Sequence, residues 1–327
     1  MKFGHFDDER REYVIDTPKT PLPWINYLGS EDFFSLISNT AGGYSFYRDA
    51  RMRRLTRYRY NNSPLDMDGH RIYIKDGETV WNPGWQPTKT PLDSYSCRHG
   101  LGYTVVEGKK DGVTARQELF VPKGDACELD RVTVCNESAA VKELDLFSYV
   151  EFCLWDAVDD SSNFQRNYST GEVEVEGSVI YHKTEYRERR NHYAVFWANC
   201  PVDSFDTTRD AFCGVYGGPA DPQAVRAGHC SGSIAHGWAP VGALHIHLSL
   251  APGESRSILF GLGYIENPQQ EKFIAPGVIN KTRAHAMMAR YATDAQIDAA
   301  RIALRTHWEE LLSTYHLESG EEKLNRM

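Results

Sequence analysis

Residues that could bind a polar ligand are concentrated in one stretch near the start of the chain, residues 41–62. Its six arginines offer rigid donor forks suited to carboxylates, phosphates or vicinal hydroxyls. Gly42 and Gly43 permit positive φ, and five aromatic side chains could stack on a flat or ring-shaped face. The turn Tyr44–Asp49 is the predicted functional part. The alternation Arg57-Tyr58-Arg59-Tyr60 predicts an ordinary strand with one solvated face, its arginines paired with acids elsewhere.

Other candidate groups favour structural interpretations. Asp159 and Asp160 resemble a catalytic carboxylate pair, but productive carboxylates face each other across a substrate, so neighbours in a loop predict a solvated turn. His245 and His247 lie two residues apart on a predicted strand and share a face. Without a third ligand, a solvated sheet face is a better interpretation than a metal site. Asp66–Gly69 lacks the remaining ligands of a calcium loop and predicts a turn.

Composition limits the class of protein. A length of 327 residues predicts one large β domain with an appendage, or two domains. The net charge of -9 argues against a nucleic-acid partner. No apolar segment follows Lys2, and no run approaches the ~18 apolar residues of a membrane helix, so we expect a cytoplasmic protein without a membrane partner. Seven widely spaced cysteines without a CxxC motif predict small buried hydrophobes.

Most of the chain has the pattern of β-strands. From residue 11 to 262, short runs rich in β-branched and aromatic residues alternate with Gly, Pro, Asp and Asn. Val113–Phe120 and Leu129–Asn136 are clear examples, and Asp111-Gly112 is a hairpin dipeptide. So many alternating strands predict a mainly β fold, a large antiparallel β-sandwich over residues 1–268.

The remaining residues, 269–327, have a helical pattern and are predicted to form a helical linker. Thr293 and Gln296 fit a capping box, and a shorter helix is expected over Arg283–Tyr291. An apolar stripe of this kind must pack against the sandwich or against a further part of the protein. The stripe consists of Ile297, Leu304, Trp308, Leu311 and Tyr315.

Three long stretches resemble a known family. Residues 1–29, 38–62 and 152–190 resemble cellobiose phosphorylases, which belong to the inverting glycoside phosphorylases of glycoside hydrolase family 94. The resemblance covers the whole chain. It implies an N-terminal β-sandwich (a super-sandwich), a helical linker, an (α/α)6 barrel and a small C-terminal β domain. The sequence is expected to supply only the first two parts, so the catalytic barrel is absent from it.

The resemblance also implies a reaction, the inverting conversion of cellobiose and phosphate to α-D-glucose 1-phosphate and glucose. Such a reaction needs an acid for the leaving oxygen, whereas anionic phosphate needs no base. In the family the acid and the phosphate cluster belong to the barrel. We therefore expect no catalytic residue in this chain, no activity of the chain alone and no cofactor, with inorganic phosphate as co-substrate. The implied partners are cellobiose, glucose, glucose 1-phosphate, the barrel domain and a second copy in a homodimer.

The family's loop matching Asp156–Asn167 reaches towards the barrel on the acceptor-sugar side. The resemblance therefore implies that Arg166, Asn163 and Asp156 bind the acceptor sugar, with Tyr47 from the aromatic turn nearby. Relatives often carry Asn where this chain has Asp156. No metal ligand is implied. Two alternatives stay open: a stand-alone carbohydrate-binding or dimerisation module, and the corresponding part of a cellodextrin or chitobiose phosphorylase.

Overall fold

A computed structural model describes residues 2–29, 31–59, 63–162, 170–186, 188–189, 191–237 and 239–326, with the backbone alone for 170, 184–186, 188 and 189. Within these residues the chain forms one eleven-stranded and one nine-stranded sheet, and all strand pairs are antiparallel. The predicted antiparallel sandwich is therefore confirmed.

The larger sheet has the first strands of the chain at one edge and a hairpin from the middle of the chain at the other edge. A further strand, β16 (Glu188–Arg189), pairs with β15 (Val179–Tyr186) beside the main strand order. The order along the sheet is β1 (Gly4–Asp7), β2 (Glu12–Ile15), β9 (Ser94–Gly100), β10 (Tyr103–Lys110), β11 (Val113–Phe120), β12 (Cys127–Asn136), β20 (Ser255–Glu266), β17 (His192–Ala198), β15 (Val179–Tyr186) and β14 (Thr170–Glu176).

The smaller sheet is organised around its longest strand, β13 (Lys142–Trp155). One edge of β13 pairs with β19 (Pro240–Leu250), and the other edge pairs first with β7 (His70–Asp76) and then, beyond residue 150, with β6 (Arg54–Thr56). The sheet thus branches at β13. Its order is β18 (Ser204–Thr208), β19 (Pro240–Leu250), β13, β6 (Arg54–Thr56), β5 (Gly43–Tyr47), β4 (Phe33–Ser38) and β3 (Ile25–Leu28), with β7 (His70–Asp76) and β8 (Thr79–Trp81) on the branch.

The main core lies between the two sheets. Val132 and Val134 of β12 belong to the same buried apolar cluster as Leu146 and Phe152 of β13. This arrangement follows from the period-two alternation of the strands, because every second side chain points to the same face. The outer face of the smaller sheet is covered by residues around the short helices α2 (Arg209–Cys213) and α3 (Gln223–Ala227).

The segment after residue 268 covers the outer face of the larger sheet. It begins with a 3-10 turn (Gln269–Glu271) and a hairpin, β21 (Phe273–Ala275) and β22 (Val278–Ile279), so the prediction of a purely helical segment is wrong at its start. Three helices follow: α4 (Thr282–Ala289), α5 (Asp294–Leu312) and α6 (Glu322–Asn325).

Helix α5 confirms the predicted capping box. The Thr293 hydroxyl accepts from the Gln296 backbone N–H, and the Gln296 side chain accepts from the Thr293 N–H. Ile297 and Leu304 are buried against the outer face of the larger sheet. Leu311 and Tyr315 are exposed, so only the first part of the predicted stripe packs on the sandwich. The domain boundary after residue 268 stays a prediction.

The seven cysteines are all free thiols. Five are buried and two, Cys135 and Cys200, are half-buried, which agrees with their predicted role as small hydrophobes. Among the described residues, no helix combines the length and the apolar character that crossing a membrane requires.

Candidate functional site

The predicted functional turn Tyr44–Asp49 is only partly a turn: residues 44–47 form strand β5, and Arg48 and Asp49 begin the connection to β6 at one end of the smaller sheet. Residues 48–53, here called the arginine turn, are shaped by Asp49. Its carboxylate accepts the backbone N–H groups of Arg51 and Met52, both at 2.8 Å, and its carbonyl oxygen accepts from the N–H of Arg53 at 3.0 Å. Asp and Asn favour such local bonds to the following backbone. The turn therefore holds the backbone of its arginines in place.

Each arginine of the turn faces a carboxylate. Arg48 donates two hydrogen bonds of 2.8 Å to Asp32, and this bonding raises the pKa of the guanidinium. Arg53 donates to Glu266 at 2.8 Å. Most of these arginines are therefore ion-paired, as expected for exposed cations.

Tyr47 lies immediately before the arginine turn. Its ring stacks on Tyr264 with centroids 4.1 Å apart, and the Arg48 guanidinium lies 5.0 Å from the ring centre. Burial raises the pKa of the Tyr47 hydroxyl. Tyr47 also borders a pocket of about 210 Å³ whose other walls are Glu31, Asp32, Phe33, Val121, Pro122, Gly124, Asp125 and Ala126. One face of the Tyr47 ring is thus covered by Tyr264, and sugar contact by Tyr47 stays a prediction.

Asp156 caps a short helix, α1 (Ala157–Ser161). Its Oδ1 accepts the N–H groups of Val158 and Asp159 at 2.9 and 3.0 Å, which satisfies two donors at the helix start. Its second oxygen lies 3.9 Å from Nε of Arg51. The carboxylate is buried and shapes the start of the predicted acceptor loop. Sugar contact by Asp156 stays a prediction.

Tyr47 and Asp156 approach the arginine turn from its two sides. Phe46 pairs with Arg54, and Arg54 pairs with Trp155. The last residues of β5 and β13 therefore lie beside the first residue of β6. The other two predicted site residues, Asn163 and Arg166, lie outside the described residues, in 163–169. The structure describes the chain on either side of them, α1 before and β14 after.

Beneath α1 lies a group of paired charges, here called the buried ion cluster: the buried Arg57, Glu151 and Asp160, and the half-buried Arg209. Arg57 donates two hydrogen bonds to Asp160, at 2.8 and 2.5 Å, and one to Glu151 at 2.6 Å. Nε of Arg209 lies 3.3 Å from Glu151. Burial acts to lower the pKa of Arg57, but the two carboxylates outweigh it and the pKa is raised.

This cluster corrects two predictions. Strand β6 ends at Thr56, so Arg57 is on no solvated strand face; its side chain is 3% exposed. Asp160 is also buried and belongs to α1 rather than to a solvated turn. The sequence gives no signal for this ion pair, because its members are 103 residues apart and alternation does not identify pairing partners.

Of the two histidines predicted on a solvated sheet face, His247 agrees with the prediction and His245 does not. His245 is buried, with Nε2 3.1 Å from Oδ1 of Asp145. His247 is half-exposed and lies between Asp145 and Glu143, and its hydrogen bond with Asp145 raises its pKa. The part of the chain that the structure describes contains no group of three or more His, Cys, Asp and Glu side chains placed to hold a metal ion. Asp66–Gly69 forms a bend.

Two large antiparallel sheets, with helices on the outer face of each, define a large β-sandwich protein. Comparison with known proteins gives its family: residues 11–294 match the model described as the glycosyl hydrolase 94 supersandwich domain. The chain belongs to this family.

Several curated relatives are named as phosphorylases. The N,N'-diacetylchitobiose phosphorylase of Vibrio proteolyticus is 36% identical, over 100% of this chain and 40% of the relative. The solabiose phosphorylase of Paenibacillus borealis is 32% identical, over 90% of this chain and 40% of the relative. The chain thus spans about 40% of the length of these proteins.

A solved structure described as a kojibiose phosphorylase from the human microbiome shares the fold. It superposes with a TM-score of 0.57 at 10% identity, over 93% of this chain and 39% of that one. At this identity the likeness concerns the fold alone.

Proposed function

We propose that this chain is the sandwich part of an inverting disaccharide phosphorylase and forms the acceptor-sugar side of an active site that an (α/α)6 barrel completes. The observation that carries the proposal is the family match over residues 11–294. Relatives named as disaccharide phosphorylases, aligned over 90 to 100% of this chain, support it.

The chemistry of the arginine turn fits a supporting role. Phosphorolysis with inversion needs a carboxylic acid that can protonate the leaving oxygen. Around the turn, Asp32 and Glu266 are bonded to arginines, and the pKa of each carboxyl group is lowered. Such bonds favour the ionised carboxylate, which is the wrong state for a general acid. The proposal therefore places the acid and the phosphate-binding cluster in the barrel.

The acceptor sugar is assigned to the loop that begins at Asp156. Arg166 would donate a fork of hydrogen bonds to vicinal hydroxyls, and the amide of Asn163 would both donate and accept. Tyr47 lies across the arginine turn from the start of this loop, which supports its place at the same entrance.

Two substrates are compatible with the proposal. The stretches 1–29, 38–62 and 152–190 favour cellobiose, with glucose 1-phosphate and glucose as products. The relatives named as N,N'-diacetylchitobiose phosphorylases, at 36 and 35% identity, favour the N-acetylated disaccharide. The two disaccharides differ at C2 of each ring, where the N-acetylated sugar carries an acetamido group instead of a hydroxyl.

The test is phosphate release in the synthetic direction. The purified chain is assayed alone and mixed with a separately produced barrel segment of the Vibrio proteolyticus relative. One set of assays uses glucose 1-phosphate with glucose, the other N-acetylglucosamine 1-phosphate with N-acetylglucosamine. The relative's own sandwich segment, mixed with the same barrel, is the positive control. We expect no release by the chain alone and release on mixing.

Two results would contradict the proposal. Release of phosphate by the chain alone would mean that the catalytic residues lie in the sandwich. If the positive control releases phosphate but the mixture that contains this chain releases none with either sugar pair, the chain is not part of a phosphorylase.

In the active mixture, Arg166→Ala should raise the KM of the acceptor sugar about tenfold or more, because a forked charged hydrogen bond is worth ~1.5–3 kcal/mol. The KM of the sugar 1-phosphate should change less than about twofold. Arg305→Ala, which removes an exposed arginine of α5 paired with Glu309, is the matched control. Equal changes for both sugars, or none, would take Arg166 out of the acceptor site.

Homodimer assembly and a cytoplasmic location belong to the same proposal. Sedimentation equilibrium of the purified chain would measure the first, and fractionation of cells that express it the second.

A further inference from the structure

The pocket of about 210 Å³ beside Tyr47 lies between the ends of the two sheets. The smaller sheet contributes Phe33 and Tyr47, which are paired residues of β4 and β5. The larger sheet contributes the connection from β11 to β12, including Val121 and Ala126. Among the described residues that line the pocket, none belongs to the arginine turn or to α1. Its lining therefore differs from the predicted acceptor site, with Tyr47 as the shared residue.

The walls of this pocket are held by contacts of their own. The ring of Tyr47 stacks on Tyr264, whose N–H donates to the carbonyl oxygen of Ala126 at 2.8 Å. On the next side, the N–H of Arg48 donates to the carbonyl oxygen of Asp32 at 2.7 Å. The pocket is thus formed before any ligand enters, and a preformed site loses little conformational entropy on binding.

The polar side chains of the pocket are mainly hydrogen-bond acceptors. Glu31, Asp32 and Asp125 contribute carboxylates, which accept hydrogen bonds and donate none when ionised, and Tyr47 contributes a hydroxyl. The other side chains of the lining are apolar. A ligand that fits must therefore present several donors together with an apolar surface. A pyranose ring does so, because its hydroxyls donate and its C–H groups are apolar.

The charge of the pocket disfavours an anionic ligand. Asp32 accepts two hydrogen bonds from Arg48, and Asp125 accepts two from Arg290. Glu31 is exposed and has no ion-pair partner among the residues that the structure describes. Three carboxylates against two guanidiniums leave one negative charge in excess. A phosphate group would be repelled, whereas a hydroxyl can donate a charge-assisted hydrogen bond to Glu31.

We propose that this pocket is a second sugar-binding site: it holds a neutral pyranose whose hydroxyls donate to Glu31 and Asp32, and it excludes sugar 1-phosphates. The choice between glucose and N-acetylglucosamine rests on the proposed function. The binding itself is a property of this chain and is measured without the barrel.

The test uses the full 327-residue chain alone. Saturation-transfer NMR measures the binding of glucose, N-acetylglucosamine, glucosamine and glucose 1-phosphate, each over a range of concentrations. A single sugar ring has few atoms, so its Kd should lie in the millimolar range. We expect glucose or N-acetylglucosamine to bind at least about threefold more tightly than glucose 1-phosphate.

Two variants change the pocket without opening the core. Glu31→Gln removes the excess negative charge at an exposed position, and it should raise the Kd of the neutral sugar about threefold or more. Tyr47→Phe removes the hydroxyl, keeps the ring that stacks on Tyr264, and should raise this Kd about twofold or more. Glu310→Gln, the same change of charge at an exposed position of α5, is the matched control and should leave the Kd unchanged.

Four outcomes would overturn the proposal. The first is the absence of saturation transfer from every sugar. The second is binding that both Glu31→Gln and Tyr47→Phe leave unchanged, which would place the sugar elsewhere on the chain. The third is equal affinity for glucose and glucose 1-phosphate. The fourth is binding of glucosamine, whose amine is protonated at neutral pH, without binding of either neutral sugar, which would make the pocket a cation site.

These outcomes are independent of the proposed function. If the mixture with the barrel segment releases no phosphate while the positive control does, the phosphorylase proposal fails. Binding of a neutral sugar that Glu31→Gln weakens would still establish the pocket.

Discussion

Two carboxyl groups, Glu128 and Asp130, point from β12 into the core between the sheets, where Val132 and Val134 continue the same face. Glu128 accepts hydrogen bonds from the hydroxyls of Ser35 and Ser45. Asp130 accepts only from the side-chain amide of Gln117, at 2.9 Å, and its other oxygen has no hydrogen-bond partner within the described ranges. Burial raises the pKa of Asp130 to about 8, and Glu128 adds to the rise. Asp130 is therefore mostly protonated near neutral pH.

This pKa predicts a pH dependence of stability. The folded state keeps a proton that an unfolded aspartate releases near pH 4. The contribution of Asp130 to the free energy of unfolding is therefore greatest below pH 4, declines as the pH rises towards 8 and no longer changes above pH 8. Asp130→Asn removes the titration. As the pH rises from 4 to 8, the free energy of unfolding of the variant should increase relative to that of the unmodified chain, on the order of a few kcal/mol.

Urea unfolding at several pH values measures the difference. Glu310→Gln, an exposed carboxyl-to-amide change on α5, is the control. Parallel pH profiles for Asp130→Asn and the unmodified chain would contradict the buried, protonated state of Asp130.

At the residue scale, the sequence identified features that depend on neighbouring residues and residues that are shared with a known family. The resemblance singled out Tyr47 and Asp156, which the structure places on either side of the arginine turn. It did not reveal that Asp156 caps a helix or that Arg57 is buried. An arginine beside tyrosines in an alternating run looks solvated, because the carboxylates that neutralise it come from distant positions. Partners this far apart in sequence are visible only once the strands have paired.

Among the elements, helix α5 has an apolar stripe that continues beyond the part of the helix that packs on the sandwich. The stripe spacing is continuous, yet Leu304 is buried and Leu311 is 51% exposed. Between them, Trp308 packs over the turn at Gly102, where a Cβ would lie 2.4 Å from the indole nitrogen, so the close approach requires glycine. Periodicity gives the apolar face of a helix, but the extent of the partner surface decides how much of it is covered.

The two leucines of this stripe provide a matched pair. Leu304→Ala should lower the free energy of unfolding by ~2–5 kcal/mol, since it leaves a cavity beneath the helix. Leu311→Ala should change it by less than about 0.5 kcal/mol, because the side chain is already half in water. Denaturant unfolding of both variants makes the comparison. A similar loss for the two would mean that the end of α5 packs as tightly as its middle.

The hairpin β21–β22 was missed for a different reason. Lys183 on β15 donates to the carbonyl oxygen of Gly277 in the turn, and the N–H of Ile279 donates to Glu174 on β14 at 3.0 Å. The hairpin is thus stabilised by strands about 100 residues earlier. Two- and three-residue strands have no periodicity of their own to detect.

For the whole molecule, alternation was sufficient to predict two packed antiparallel sheets, because it records which face of each strand is buried. It contains no information on which strands are neighbours. The sequence therefore did not show that β13 pairs with β6, β7 and β19, or that β12 pairs with β20 at the centre of the larger sheet. Those pairings place the arginine turn next to α1, and so they determine the candidate site.

The pairing of β12 with β20 also affects synthesis on the ribosome. Cys135 pairs with Ser255, about 120 residues later, so β12 emerges long before the strand that covers its free edge. At roughly 5–20 residues per second, β12 waits about 6 to 24 s for that partner. During this interval its unpaired backbone and apolar inner face are open to chaperones and to other nascent chains. The central position of β20 in the sheet therefore delays completion of the core until almost all of the sandwich has been translated.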